Sequence, residues 1–228
     1  MTHTTQLHTT TVSFPEIKLR QRDAHKLRGY FGNLFMEHSP LLHNHLEGQA
    51  DKFHYAYPKV QYKVVYDVPM LVGLGEGARL LTELFLKITE LVIDDRIYPV
   101  LAKNIESKII PVGLTDTLHS YRFESLWLAL NQPNYELYRT YDEVQKIDQL
   151  RGIAVRNIMA FLASCDLEVT HDQRIMVALN GMTTGETNFK NTKLMGFKGQ
   201  MVSNVVLPDL VGLGKSVARG FGTIKRIL

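Results

Sequence analysis

The sequence predicts an α+β protein built as two tandem ferredoxin-like domains, with a glycine-rich loop near its C-terminal end. Three observations carry that prediction. Through Val100 the apolar residues recur in the order strand, helix, strand, strand, helix, strand, the split βαβ arrangement in which helices cover one face of a four-stranded antiparallel sheet. The second half opens in the same way, with a strand-like stretch, a long helical pattern and further strand-like stretches. Between the last two of these lies GLGKSVARGFG, Gly212 to Gly222, followed by the six residues Thr223 to Leu228.

The elements follow from local patterns. TTTVSFPEIKLR alternates short polar and apolar residues and reads as a strand. From Asp23, a candidate cap, the residues Ala24, Leu27, Phe31, Leu34 and Phe35 fall at helical spacing. EHSPLLHNHLEG is a polar break. FHYAYPKVQYKVVYDVPMLVGLG is rich in Tyr and Val and interrupted at YDVP, which predicts two antiparallel strands joined there. EGARLLTELFLKITEL returns Leu80, Leu81, Leu84, Phe85 and Ile88 to helical spacing, and IDDRIYPV reads as a hairpin. A boundary near IIPVGLTDT divides the chain into domains 1–112 and 113–228. Beyond it LHSYRFESLWLAL reads as a strand, NYELYRTYDEVQKIDQLRGIAVRNIMAFLAS as one long helix, and QRIMVALN, FKNTKLMGFKGQMVSNVVLP and FGTIKRIL as strands. The two halves share no sequence repeat.

Composition bounds the function. Of 228 residues, 45% are hydrophobic and 21% charged, which excludes a wholly disordered or fibrous chain. A single cysteine, Cys165, forms no internal disulfide, no apolar run is long enough to cross a membrane, and the N-terminal stretch has neither the basic start nor the apolar core of a secretory signal. The expected location is the cytoplasm, without membrane association. The net charge of +3 is uneven: from Lys190 onward there are seven Lys or Arg against one acid, Asp209. Clustered cations are the footprint of a polyanion partner, and equally of a solvated basic face.

The glycine loop matches neither familiar phosphate motif. Gly214, Lys215 and Ser216 match the end of a P-loop, but Asp209 stands where its first glycine must be. After Gly212 and Gly214 the dinucleotide fingerprint requires a third glycine where Val217 stands. What remains is glycine–hydrophobic–glycine, five residues, glycine–hydrophobic–glycine: Gly212 and Gly214, then Gly220 and Gly222. Such glycines let backbone approach a ligand, with Lys215 and Arg219 supplying charge to phosphates. A tight return into the last strand with solvated cations fits the residues as well.

This loop, in LMGFKGQMVSNVVLPDLVGLGKSVARGFGTIKRI, resembles the C-terminal hallmark of the CRISPR-associated repeat-processing endoribonucleases, CRISPR-associated protein six, and within them the subfamily with paired active-site histidines. YPKVQYKVV, VGLGEG and LWLALNQPNYELY extend the similarity over most of the chain. The resemblance implies tandem ferredoxin-like (RRM-like) domains and metal-independent cleavage of CRISPR precursor RNA within its repeats. The expected ends are a 2',3'-cyclic phosphate and a 5'-hydroxyl, and no cofactor is expected. The expected partners are repeat RNA, its mature guide product and other CRISPR effector-complex subunits, with two copies pairing on RNA as one arrangement. An RNA-binding subunit that does not cut is the alternative on the same fold.

Cleavage of RNA by its own 2'-hydroxyl needs a base, an acid, and cations for the phosphorane charge. Histidine serves either proton role near neutrality. His38, His43 and His45 all fall within the polar break, and His43 and His45 point to one side only if the segment is extended. LLHNHLEG resembles the family's paired-histidine motif, which implies a leading role for His45 and a second proton-transfer or positioning role for His43. Read from the residues alone, the same stretch is a polar surface loop, or, with Glu47, part of a metal site that lacks further spaced ligands. Lys52, Lys26 and Tyr55 are candidates to stabilise the phosphate or position the 2'-hydroxyl. Lys193 and Lys198 before the loop, and Lys225 and Arg226 after it, are candidate phosphate contacts. Trp127 reads as core.

Overall fold

The computed structural model describes residues 2–34, 57–189 and 192–227. By contact the chain forms two units: Gln6–Ile110 with Ala218–Gly220, and Pro111–Val217 with the residues up to Thr5 and from Phe221 onward.

In the N-terminal unit the described order is β1 (His3–Ser13), a 3-10 turn (Gln21–Asp23), α1 (Ala24–Leu34), β2 (Val60–Val65), β3 (Val68–Leu74) and α2 (Glu76–Leu84). The hairpin β4 (Glu90–Ile93) and β5 (Arg96–Pro99) follows, then the start of β6 (Asn104–Phe123). The sheet order is β2–β3–β1–β6, with β3 antiparallel to both its neighbours. Register aligns Tyr62 with Leu71 and Leu71 with Val12, so these three side chains share one face. That face is covered by α1, whose Ala24, Leu27 and Phe31 are buried at spacings of three and four. Phe31 stacks between Phe14 and Tyr62, with ring centroids 6.2 and 6.0 Å away. Truncating such a side chain to alanine costs about 3–5 kcal/mol. The YDVP turn places Tyr66 and Asp67 at φ of 50° and 63°, the paired left-handed conformation that closes a two-residue hairpin, and Asp94 and Asp95 repeat it between β4 and β5.

Two local expectations differ from the structure. Asp23 immediately precedes α1 as the last residue of the 3-10 turn, and its carboxylate accepts from the Arg20 N–H at 3.3 Å, back into that turn. Leu34 is largely exposed. The contact division between the two units falls within IIPVGLTDT, between Ile110 and Pro111, and the strand β6 runs through it without a break.

In the C-terminal unit β6 is followed by α3 (Gln132–Thr140), α4 (Glu143–Ala163), β7 (Val177–Phe189), β8 (Thr192–Val206) and β9 (Ile224–Ile227). The single long helix expected here is broken. Tyr141 is extended, and Asp142 restarts the helix through a reciprocal box: Asp142 Oδ1 accepts from the Gln145 N–H at 2.8 Å, and Gln145 Oε1 from the Asp142 N–H at 3.0 Å. β6 pairs with β9 on one side and β8 on the other, and β7 lies beyond β8. The core is built on Trp127, fully buried, stacked on Phe123 at 5.1 Å and bonded from Nε1 to Asn157 Oδ1 of α4 at 3.0 Å. Between β8 and β9 the chain makes a short 3-10 turn, Val217–Arg219. Among the described residues no helix is long and apolar enough to cross a membrane.

Candidate functional site

His43, His45 and Lys52 lie outside the described residues, as do Glu47 and Tyr55. Lys26 is described, and it serves the fold: its ammonium pairs with Asp23 at 2.8 Å and with Asp94, joining α1 to the β4–β5 turn. Among the described residues no group of three His, Cys, Asp or Glu is placed to hold a metal ion.

The glycine loop is anchored by its own backbone. The Leu213 N–H donates to Gly222 O at 2.9 Å, the Gly222 N–H to Leu126 O at 2.8 Å, and the Lys215 N–H to Leu128 O at 3.1 Å. Val211, Leu213 and Val217 are buried beneath it. Gly222 takes a φ of 62°, and a Cβ there would lie 1.8 Å from Leu213 O. Gly214 backs onto the Trp127 indole, and Gly212 onto Val217. All three are therefore required by packing, and that same packing holds Lys215 outward at the surface. Partial burial draws the Lys215 ammonium below the usual lysine range.

Gly220 belongs by contact to the N-terminal unit, where a Cβ on it would lie 2.8 Å from Cβ of Ala24 and 3.2 Å from Tyr62 O. This close approach brings the neighbouring Arg219 to the start of α1. Arg28 stands one turn beyond Ala24 on the same helical stripe. Burial, and then the charge of Arg28, lower the Arg219 guanidinium from its ordinary value. Two half-buried cations thus meet, an arrangement that a phosphate between them would stabilise. Sequence reasoning missed Arg28, because its place on the α1 stripe matters only once Gly220 is known to dock there.

In the C-terminal unit, register sets four residues in a row across four strands: Lys225 of β9 opposite Arg122 of β6, Arg122 opposite Gln200 of β8, and Gln200 opposite Asn180 of β7. All four are exposed, while the alternate residues Phe123, Met201 and Ile224 are buried on the other face. Lys198, two residues from Gln200, joins this face. Lys198 and Lys225 are therefore brought together, with Arg122 as a partner that sequence reasoning did not single out. Lys193 stands five positions before Lys198, on the other face of β8, with its ammonium 3.9 Å from Glu186. Arg226 is engaged within the fold: its backbone N–H donates to Asp209 Oδ1 at 2.7 Å and its guanidinium to His119.

Comparison with known proteins accounts for nearly the whole chain. Residues 5–110 match the family model described as the Cas6b N-terminal domain, and residues 113–227 the Cas6b C-terminal domain. The chain is similar to a crystal structure of Cas6b at 30% identity and a TM-score of 0.89, covering 98% of this chain and all of the other. It is similar at 27% identity and a TM-score of 0.78, again over 98% of this chain and all of the other, to a CRISPR RNA processing endoribonuclease Cas6b. An uncharacterized protein of Methanocaldococcus jannaschii is 31% identical over 145 residues, covering 64% of this chain and 97% of that protein. The chain belongs to the Cas6b family.

Proposed function

We propose that this protein is a metal-independent endoribonuclease that cuts CRISPR precursor RNA within its repeats and holds the guide product for other effector subunits. The observation that carries this reading is the end-to-end similarity to a CRISPR RNA processing endoribonuclease Cas6b, with the two Cas6b domain models covering both halves of the chain. The glycine loop, the Arg28–Arg219 pair and the basic sheet face of the C-terminal unit support it as places for a phosphate backbone.

Both units fit a ferredoxin-like description. The order β2–β3–β1–β6 in one, and β7–β8–β6–β9 in the other, is that of a βαββαβ sheet read from the second strand to the fourth. In the second unit the glycine loop occupies the position of the second helix, between β8 and β9.

The proposed chemistry is transesterification. One of His43 and His45 takes the proton of the 2'-hydroxyl as O2' attacks phosphorus, and the P–O5' bond breaks while an acid protonates the departing O5'. The products carry a 2',3'-cyclic phosphate and a 5'-hydroxyl. His45 has the leading role, His43 the second, and Lys52 offsets charge on the phosphorane. Replacing His45 with alanine lowers the single-turnover cleavage rate of repeat RNA by about 10²–10⁴-fold, the range of general acid–base catalysis, with RNA binding retained. A normal rate in His45→Ala removes the site assignment.

A further inference from the structure

We infer that the open sheet face of the C-terminal unit carries a pocket that reads one unpaired guanine of the bound RNA. This rests on the reading that the chain binds RNA. Arg122, Glu124, Asn180, Lys198 and Gln200 line a concavity of about 470 Å³ on that face, within the range of small-molecule sites. Its shape is built into the backbone. β7 carries an extra residue between Asn180 and Thr183, and the concavity is floored in part by Gly181 and Gly199, where no side chain fills the space. A Cβ on Gly199 would lie 2.6 Å from Met182 Sδ.

The polar groups select the ligand. Among the described residues Glu124 is the single acid of the lining, its side chain only 7% exposed, and its Oε1 accepts from Arg122 Nη2 at 2.9 Å and Nε at 3.0 Å. A phosphate seated against Glu124 would meet that carboxylate, so this part of the concavity does not suit a phosphate. A ligand that brings N–H donors to the carboxylate and carbonyl acceptors to the Lys198 ammonium and the Asn180 and Gln200 amides fits instead, and a nucleobase is such a ligand. Among the bases, guanine presents two adjacent donors, N1–H and the 2-amino group, beside the O6 acceptor. Cytosine and adenine each set one amino donor beside a ring nitrogen lone pair, which would face the carboxylate. Arg122, with its side chain 52% exposed, offers a planar surface for stacking, and Lys225 on the same face serves a flanking phosphate.

The test uses the whole protein and short, fluorescein-labelled single-stranded RNAs identical except for a central G, inosine, A, C or U. The expected result is tighter binding of the G probe than the A probe by about ten-fold, the scale of one bidentate base contact, with inosine intermediate because it lacks the 2-amino group. In Glu124→Gln the G preference falls to within about two-fold while full repeat RNA is still bound through its phosphates. Equal binding of G, inosine and A by the wild-type protein overturns the inference, as does a G preference unchanged in Glu124→Gln. Should that variant fail to fold, the wild-type comparison of G with inosine decides alone. Probes bound without base preference, with repeat RNA still cut, remove only this pocket. Failure to bind repeat RNA at all removes the proposed function with it.

Discussion

Arg226 donates a hydrogen bond from its guanidinium to Nδ1 of His119 at 2.9 Å. Guanidinium has no acceptor, so the ring proton stands on Nε2, which is 2.8 Å from Thr115 Oγ1 and donates to it. His119 is buried where the β6–β8 register shifts between Leu114 and His119, so this chain of bonds fixes an irregular stretch of β6.

Burial, and then the charge of Arg226, hold His119 below the ordinary histidine range. Because the folded value lies below the unfolded one, the unfolded chain takes up this proton first as the solution is acidified. The contribution is flat above the unfolded value of about 6.5 and destabilises the fold as pH falls below it. His119→Gln, which cannot take the charge, is expected to lose less stability between pH 7.5 and pH 5 than wild type does. Urea unfolding at the two values measures it, and equal losses count against the assignment.

Arg28 and Arg219 are predicted to grip one stretch of RNA backbone. Changing either to glutamine lowers the slope of log affinity against log salt by about 0.7–0.9, and changing both by about twice that. Titration of repeat RNA across salt concentrations checks it. An unchanged slope in Arg219→Gln shows that the pair does not contact phosphate.

Lys63 on β2 is wholly buried, and burial pulls its ammonium down to about 7. The unfolded chain holds its proton up to the ordinary lysine value of 10.5, so the destabilisation grows as pH falls from 10.5 to 7 and is constant below. Lys63→Met is therefore expected to be more stable than wild type at neutral pH, by at most on the order of 5 kcal/mol, with the gap closing toward pH 10. A gap that does not change with pH contradicts the buried, shifted amine.

Hairpins and helix faces were legible in the sequence because they depend on neighbours along the chain. YDVP and IDDR marked turns, and Ala24, Leu27 and Phe31 marked the buried stripe of α1. The break between α3 and α4 was not legible, because the apolar period runs on across Tyr141 and Asp142 and only the capping box stops it. Nor was the continuity of β6 through IIPVGLTDT, a stretch that reads as a boundary and across which one strand runs unbroken. For the candidate site, the cations at Lys198, Lys215, Arg219 and Lys225 were visible as a composition bias. Their arrangement was not: Arg122 joins Lys225 through strand register, and Arg28 joins Arg219 through a contact at Gly220, and neither follows from spacing.

The proposed cleavage is metal-independent attack by the RNA's own 2'-hydroxyl. The direct measurement is cleavage of repeat RNA by the purified protein in EDTA, beside a copy with 2'-deoxyribose at the scissile nucleotide alone. The ribo substrate is expected to be cut to products ending in a 2',3'-cyclic phosphate and a 5'-hydroxyl, while the deoxy copy is bound and left intact. Cleavage of the deoxy copy, activity that returns only with added metal, or binding of the ribo substrate without any cut would contradict the proposed cleavage.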